Sequence, residues 1–510
     1  MSDSDRPVVA VLEGISAGRY FADAALKRGL EPVVIFPKIE TSDVYKVMRQ
    51  SAVDFWTKKG CRVIEPEDDS KETMVRIVKS LNPVAIVSGS ELGVPWTDFL
   101  TQALNLVGND PATSLMRRNK YEMQQKLQQA LIPSLRSLKC HSLDECVEIA
   151  SKWNTWPVVV KPLAGAGSLG VYFCHNLKNL SHICQQLFKE QDLFGTANTE
   201  ILLQEFAHGT EYIVNTMSCA GQHIVTDVWR YDKVPVGSKG NAYNYAALVR
   251  QPNETEKTLL SYTLKVLDAL GFRYGPSHTE LMLIPKGPRL IETAARPMGG
   301  FFPDDLMRQI FGFDHASLTL DAVLDPKAFK RVAAKPYAPN TSALLKIVIS
   351  HAHHPVKTLY YEAIAYEAPV VKRWEFDLVK RSGEIVETVD LETAGGELFI
   401  ADERAEIVWL AYEAMRRLET DCQEWLYGSE DLQITTPIMH AVGSVPFTEH
   451  TVLPWLNVIR HTGAFSRNAQ SGTSLMVETD GMTTKEITAF SSLLGIFGWR
   501  QIEYGTYYKL

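Results

Sequence analysis

Two glutamates, Glu280 and Glu292, stand in the stretch HTELMLIPKGPRLIETAARPMGG, with Arg296 four residues after the second. Thr279 to Ile284 and Arg289 to Ala294 each read as short strands, and Pro285-Lys286-Gly287-Pro288 between them is dense in turn residues. Period-two alternation puts Glu280, Met282 and Ile284 on one face and Leu281 and Leu283 on the other, while on the returning strand Glu292 shares a face with Leu290 and Ala294. Both acids can therefore converge. Carboxylates set among leucine, isoleucine and methionine call for a counter-charge. A magnesium ion supplies one, because it is held by one or two carboxylates together with substrate phosphates. An ordinary amphipathic hairpin with two solvated acids carries the same pattern, so the surrounding motifs must separate the two readings.

Lys161 ends the apolar run WPVVV and is followed by Pro162 and the loop AGAGSLG. Gly165, Gly167 and Gly170 remove side-chain bulk, so that backbone N–H groups can close over phosphate oxygens, and Ser168 adds a hydroxyl beside Leu169. The spacing is not that of a P-loop, since no GK[ST] follows, and a flexible hairpin has the same composition. Lys120, in the basic helix RRNKYEM, is a second candidate phosphate cation or a solvated helix lysine. In QEFAHGTEY, Gln204 and the backbone near Ala207 could meet an adenine edge, and Glu211 could accept from ribose hydroxyls or stand as an exposed strand carboxylate. His278 shares the Glu280 face and reads either as a core histidine satisfied by backbone or as a group orienting phosphate or metal ligand. Arg230, Lys233 and Tyr243 lie in VWRYDKVPVGSKGNAYNY, read as a polar loop suited to substrate-carboxylate recognition or simply to solvent.

These residues need a framework. The first hundred or so residues alternate apolar runs (VVAVLEG, VVIFP, RVIEP, VAIVSGS) with helical patterns, which signals a parallel sheet covered by helices. Gly14 and Gly18 follow the first strand without a full GxGxxG and read as turn and packing glycines. Glu91 and Asp98 follow the fourth strand, where open parallel sheets place ligands, but Glu91 reads as a solvated carboxylate and Asp98 as a helix-face acid. From about Pro111 the texture becomes mixed: helices, the strand bearing Lys161, the strand ILLQEF, a hairpin turning at SCAGQH, the helix ETEKTLLSYTLKVLDALG ended by Gly271, then the acidic hairpin. A third region opens with LLKIVIS and runs to the helix ERAEIVWLAYEAMRRLETD, and the last 85 or so residues carry no motif connected to chemistry.

With 510 residues the chain is too long for one compact core. Its 45% hydrophobic and 22% charged content is that of an ordinary soluble globular protein. A formal charge of -8 with no offsetting basic run argues against a general nucleic-acid binder. The start, MSDSDRP, is polar and acidic, and no apolar run approaches the roughly 20 residues of a membrane span, so a cytoplasmic location without membrane association is expected. Seven scattered cysteines without a CxxC pair read as reduced and structural.

Taken in order, a lysine, a lysine with a glycine loop, a hinge with GxE, and two acids with an arginine resemble the ATP-grasp superfamily over roughly residues 1 to 330. More narrowly, GSELGVPWTDFL, RRNKYEM, HTEL and IETAARPMGG make the chain similar to the L-amino-acid ligases that produce dipeptides, of which alanine-anticapsin ligase is one. The resemblance implies an α/β ATP-grasp fold with residues 1–110 as an N-terminal parallel α/β domain, 111–330 as the ATP-grasp domain, 331–424 as a small α+β domain and 425–510 as an accessory segment. It also implies roles. Lys120 and Lys161 would contact ATP phosphates under the mobile loop with Gly165, Gly167, Ser168 and Leu169; Gln204, Glu205, Phe206 and Ala207 would hold adenine, and Glu211 ribose. Glu280 and Glu292 would bind Mg2+, or Mn2+ in its place, Arg296 would steady an acyl phosphate, and His278 stands beside them. Two positions depart from many relatives: Gln204 stands where glutamate is common, and Ala294 where asparagine is common, although dipeptide ligases often have a small residue there. The implied reaction is ATP-dependent ligation of two amino acids, or of an amino acid and an amine, with release of ADP and phosphate. Enzymes of this type commonly dimerise. A bicarbonate-using ATP-grasp carboxylase and a non-catalytic nucleotide-binding protein are the alternatives.

Overall fold

The structure is a computed structural model that describes residues 6–427 apart from 40, 166–169, 193–194, 237–239, 301, 352, 357–358, 377–382, 390 and 392, together with 438–441, 474–478, 484–496, 499–503 and 506–509. It divides into two compact units, the first formed by residues 1–231 and 249–339, the second by 232–248 and 340–510.

In the first unit the opening apolar runs become β1 (Val8–Leu12), β2 (Glu31–Ile35), β3 (Arg62–Ile64) and β4 (Ala85–Ser88), a parallel sheet in the order β3-β2-β1-β4. Between them lie α1 (Tyr20–Leu26), α2 (Asp43–Lys58) and α3 (Lys71–Leu81), followed by α4 (Gly93–Ala103). Ser42 and Ser70 cap α2 and α3 by accepting from Tyr45 N and Thr73 N. One sheet face buries Val9, Val11 and Val34 against Phe21 and Trp56, the other Ala10, Leu12 and Ile86 against Met74, Val78 and Leu100. Burial on both faces is why these strands are almost uninterruptedly apolar. Gly14 and Gly18 are packing glycines: a Cβ at Gly18 would stand 2.6 Å from the Gly89 carbonyl oxygen, and one at Gly14 2.7 Å from Trp56 Nε1.

A second layer follows: α5 (Lys120–Gln129), β5 (Ser137–Cys140), α6 (Leu143–Trp153), β6 (Val158–Pro162), β7 (Tyr172–Cys174), α7 (Leu177–Leu187) and β8 (Ile201–Glu205). Its antiparallel sheet runs β5-β8-β6-β7, and Cys140, Cys146, Cys174 and Cys184 are free thiols buried in its core. Next come β9 (Thr210–Cys219), β10 (Gln222–Val236), β11 (Gly240–Leu248), α8 (Glu254–Ala269), β12 (Gly275–Ile284) and β13 (Gly287–Ala294), then α9 (Asp304–Phe311), α10 (His315–Leu324) and α11 (Pro326–Ala333). Within this unit the strands order β13-β12-β9-β10, all antiparallel. The β9–β10 turn is Ala220-Gly221 with φ of 53° and 81°, a two-residue hairpin loop that needs left-handed backbone at both positions. Asn253 and Glu256 close a capping box at the start of α8.

The second unit pairs β11 with β14 (Ser342–Val348), and beyond β15 (His354–Pro355), α12 (Tyr360–Glu367), β16 (Val371–Phe376) and β17 (Glu384–Ile385) comes β18 (Gly396–Asp402), which continues the sheet in the order β11-β14-β18-β16. Helix α13 (Ala405–Asp421) packs with the helix Thr484–Ile496, and the strands Ile438–Ala441, Ser474–Glu478, Trp499–Glu503 and Thr506–Lys509 form a further antiparallel sheet. The unit includes residues 232–248 from the middle of the chain. The expected loop around Arg230, Lys233 and Tyr243 is also corrected: all three lie on strands β10 and β11.

Candidate active site

The acidic hairpin sets the geometry. Glu280 on β12 and Glu292 on β13 are Cα partners, and both side chains keep 16% exposure. Immediately beyond them a β-bulge shifts the register, so that Leu281 pairs with Leu290 and both are fully buried on the opposite face against α8. The expectation that Leu290 shares a face with Glu292 therefore fails, because strict alternation cannot see the one extra residue, Ile291. The two acids meet as expected.

Around them stand the cations. Asn119 caps α5 by accepting from Tyr121 N and Glu122 N, which places Lys120 in the first turn. Lys120 Nζ is 2.5 Å from Glu292 Oε2 and donates to the Gly165 carbonyl at 3.1 Å. Lys161 lies at the end of β6 with 3% exposure. Burial pushes its ammonium down to about 8, and Lys120 adds in the same direction, whereas Glu292, Glu280 and Glu211 pull it back up. Five of the residues singled out from the sequence thus act on one electrostatic field. Glu211, on β9 opposite Met282, shares the Glu280 face. His278 Nε2 is 3.3 Å from Glu280 Oε1, and its Nδ1 is 2.9 Å from Asn215 Oδ1. It is satisfied by side chains, not by backbone.

The hinge is formed by β8. Gln204, 2% exposed, donates from Nε2 to Ser137 Oγ at 2.8 Å, and Glu205 Oε1 accepts from Arg136 N at 2.8 Å. Phe206 sits edge-on between Phe173 and His208, with centroids 5.5 and 4.6 Å away. Ala207 follows β8 directly. Gly165 has a φ of 150°, whereas Gly167, Ser168 and Leu169 lie outside the described residues. On the second unit's strands, Lys233 Nζ lies 4.2 Å from the Tyr243 ring centre.

Glu91, read as a solvated carboxylate, is buried, and so is Asp98, which lies on helix α4. Glu91, after β4, lies between two guanidinium groups, with Arg118 Nε 3.5 Å from Oε1 and Arg296 Nε 3.5 Å from Oε2. Arg296 also donates to the Pro297 carbonyl at 3.0 Å. Asp98 and Arg117, 2% and 0% exposed, pair at 2.6 Å, and burial raises the Asp98 carboxyl even against that arginine. The signal for Glu91 was its place at the carboxyl end of a parallel strand. Its partners, 27 and 205 residues onward, could not be paired from spacing.

Two opposed carboxylates are hard oxygen donors of the kind magnesium takes. Among the described residues no group of three or more His, Cys, Asp or Glu side chains is arranged to hold a metal by itself. No helix of the described residues is long and apolar enough to cross a membrane.

Residues 154–305 match the ATP-grasp domain family. The chain is 34% identical over 263 residues to dapdiamide A synthase of Enterobacter agglomerans, covering 51% of this chain and 62% of that protein. To alanine-anticapsin ligase of Bacillus subtilis it is 22% identical over 282 residues, covering 51% and 58%. It superimposes on the crystal structure of an L-amino acid ligase from Bacillus licheniformis with a TM-score of 0.61 at 19% identity, covering 81% of this chain and 97% of that one, a likeness of fold. The chain thus carries an ATP-grasp domain in an α/β ATP-grasp fold and resembles L-amino-acid ligases, while spanning about three fifths of the length of these two curated relatives.

Proposed function

We propose that the protein is an ATP-dependent, ADP-forming ligase that joins the carboxylate of one amino acid to the amine of another amino acid or amine through an acyl phosphate. The observation that carries this reading is the shared field of Lys120, Lys161, Glu211, Glu280 and Glu292, with Arg296, four residues after Glu292, paired to Glu91. A carboxylate is a poor electrophile, and transfer of the terminal phosphoryl group of ATP activates it. The protein's part is positioning and charge stabilisation.

Lys120 and Lys161 bind the phosphates, and the Phe206 hinge with Gln204, Glu205 and Ala207 holds adenine, with Glu211 on the ribose. Glu280 and Glu292 would hold Mg2+, which would supply positive charge to offset that of the phosphates. Lys120 is now paired with Glu292, so nucleotide binding exchanges that partner for phosphate oxygens. Arg296 stabilises the acyl phosphate and the tetrahedral oxyanion formed when the amine attacks, and Glu91 fixes where its guanidinium lies.

Screening amino-acid pairs, β-amino acids included, for Mg2+- and ATP-dependent phosphate release tests the reading. Release requiring one particular pair supports it. Release requiring bicarbonate instead of an amino-acid carboxylate makes the protein a carboxylase, and ATP binding without release for any pair makes it a nucleotide-binding protein.

A further inference from the structure

The short segment that leads into α5, residues 118–120, is tied twice to residues 292–296 at the end of the acidic hairpin. Lys120 Nζ reaches Glu292 Oε2 at 2.5 Å. Arg118 reaches Arg296 through a shared carboxylate, Glu91, with each Nε 3.5 Å from one of its oxygens. Arg117 and Arg118 are neighbours with different surroundings. Arg117 is fully buried and pairs with Asp98 at 2.6 Å, whereas the Arg118 side chain keeps 21% exposure.

The trio of Arg118, Glu91 and Arg296 stands at a particular place in the fold. The parallel sheet runs β3-β2-β1-β4, so that β2 follows β1 on one side and β4 lies on the other. Open α/β sheets bind ligands in the crevice that such a reversal opens beyond the carboxyl ends of the two strands. Glu91 is the third residue after β4. Beyond β1, Ser16 lies against Gly299, where an added Cβ would stand 3.6 Å from the Ser16 hydroxyl oxygen. The segment from Arg296 to Gly299 therefore touches the chain just past both strands, and Arg118 meets it at Glu91.

Two guanidinium groups against one carboxylate leave the trio with an excess of formal positive charge. Neither arginine grips Glu91 in a close fork, because nearest contacts of 3.5 Å exceed the roughly 2.7–2.9 Å of a charge-assisted hydrogen bond. Glu91 itself shows which anion fits between these two groups, and an amino acid brings the same one. The planar guanidinium fork matches a carboxylate in shape as well as in charge.

The geometry points to Arg118 as a substrate-binding residue that, beside Arg296, receives the carboxylate of an amino-acid substrate in the crevice between β1 and β4. This rests on the proposed ligase reading. Glu91 keeps the two guanidinium groups together, and the substrate carboxylate answers their excess charge.

The test uses the amino-acid pair selected by phosphate release. Arg118→Gln should raise KM by roughly 10- to 100-fold for an amino acid of that pair and leave KM for ATP within about twofold of the wild type. A rise for the amino acid whose carboxyl enters the new bond assigns the activated carboxylate to Arg118, and a rise for the other assigns the carboxylate that the peptide retains. Arg76→Gln, at an exposed arginine paired with Glu67, should leave all three constants unchanged. Unchanged KM for both amino acids, or a rise for ATP that matches theirs, overturns the inference. If Arg118→Gln does not fold, Arg118→Lys, which keeps the charge without the fork, is read against the same outcomes. Wild-type protein that binds ATP but releases no phosphate with any pair fails the ligase reading itself, whereas an active wild type with unchanged amino-acid KM values in the variant fails only the role of Arg118.

Discussion

Lys161 is the residue on which the phosphate reading can be checked by titration. Its ammonium lies near 8 against an ordinary 10.5, with burial the main cause, so in the free protein the charged form that phosphates need is lost as pH rises past about 8. The ratio kcat/KM for ATP, which reports the free enzyme, should therefore fall towards tenfold per pH unit above that point, whereas kcat should hold to higher pH because bound phosphates favour the ammonium. A flat kcat/KM up to pH 9.5 would contradict this. For stability the sign is opposite: the unfolded chain binds more protons between about 8 and 10.5, so the penalty of burying this charge is present below that window and relieved as pH climbs through it. Glu292→Gln should lower turnover by at least about 100-fold with an unchanged circular dichroism spectrum; activity within tenfold of wild type would remove it from the site. Residue types and spacing marked Lys120, Lys161, Glu280 and Glu292 as candidates, each with a solvated or structural alternative, and their order along the chain, which resembles that of ATP-grasp enzymes, singled them out. Glu91 was not singled out, because what buries it is a pair of arginines brought together only by folding.

The parallel strands of the first unit and the acidic hairpin were legible as elements because burial on two faces, or on one, leaves a direct pattern of apolar residues. The bulge after Glu280 and the strands carrying Arg230 and Tyr243 were not. A bulge costs one residue of register without changing composition, and Pro235, Gly237 and Gly240 punctuate the β10–β11 stretch as they would a loop. Two buried pairs now bear on how elements are joined. Asp98 on α4 reaches Arg117 in the segment before α5, and Asp98→Ala would leave that buried guanidinium without its carboxylate, with only neutral partners such as Thr113 Oγ1 and the Asp110 carbonyl. A loss of about 3–5 kcal/mol in urea unfolding is expected, and a change below about 1 kcal/mol would show that the arginine finds another partner or water. Glu91→Gln removes the charge that holds Arg296 after β13, and kcat should drop on the order of tenfold with little change in KM for ATP. A rise in KM for ATP with kcat unchanged would place Glu91 in nucleotide binding instead.

At the scale of the molecule, the ATP-grasp domain and the sheet that precedes it supply the residues of the proposed reaction, and residues 232–248 with 340–510 build the second unit. That the second unit takes two strand segments from mid-chain could not be read from composition, since a domain boundary inside a strand leaves no linker signature. The order of the motifs along the chain was legible and their meeting was not, because partners such as Lys120 and Glu292 are separated by 172 residues. The central claim is that ATP activates a carboxylate by phosphoryl transfer and an amine completes the bond. The direct measurement is product analysis with Mg2+, ATP and the amino-acid pair that the screen selects. The account predicts ADP and inorganic phosphate formed one for one with the peptide. AMP and pyrophosphate in their place, or phosphate released with no new C–N bond, would contradict it.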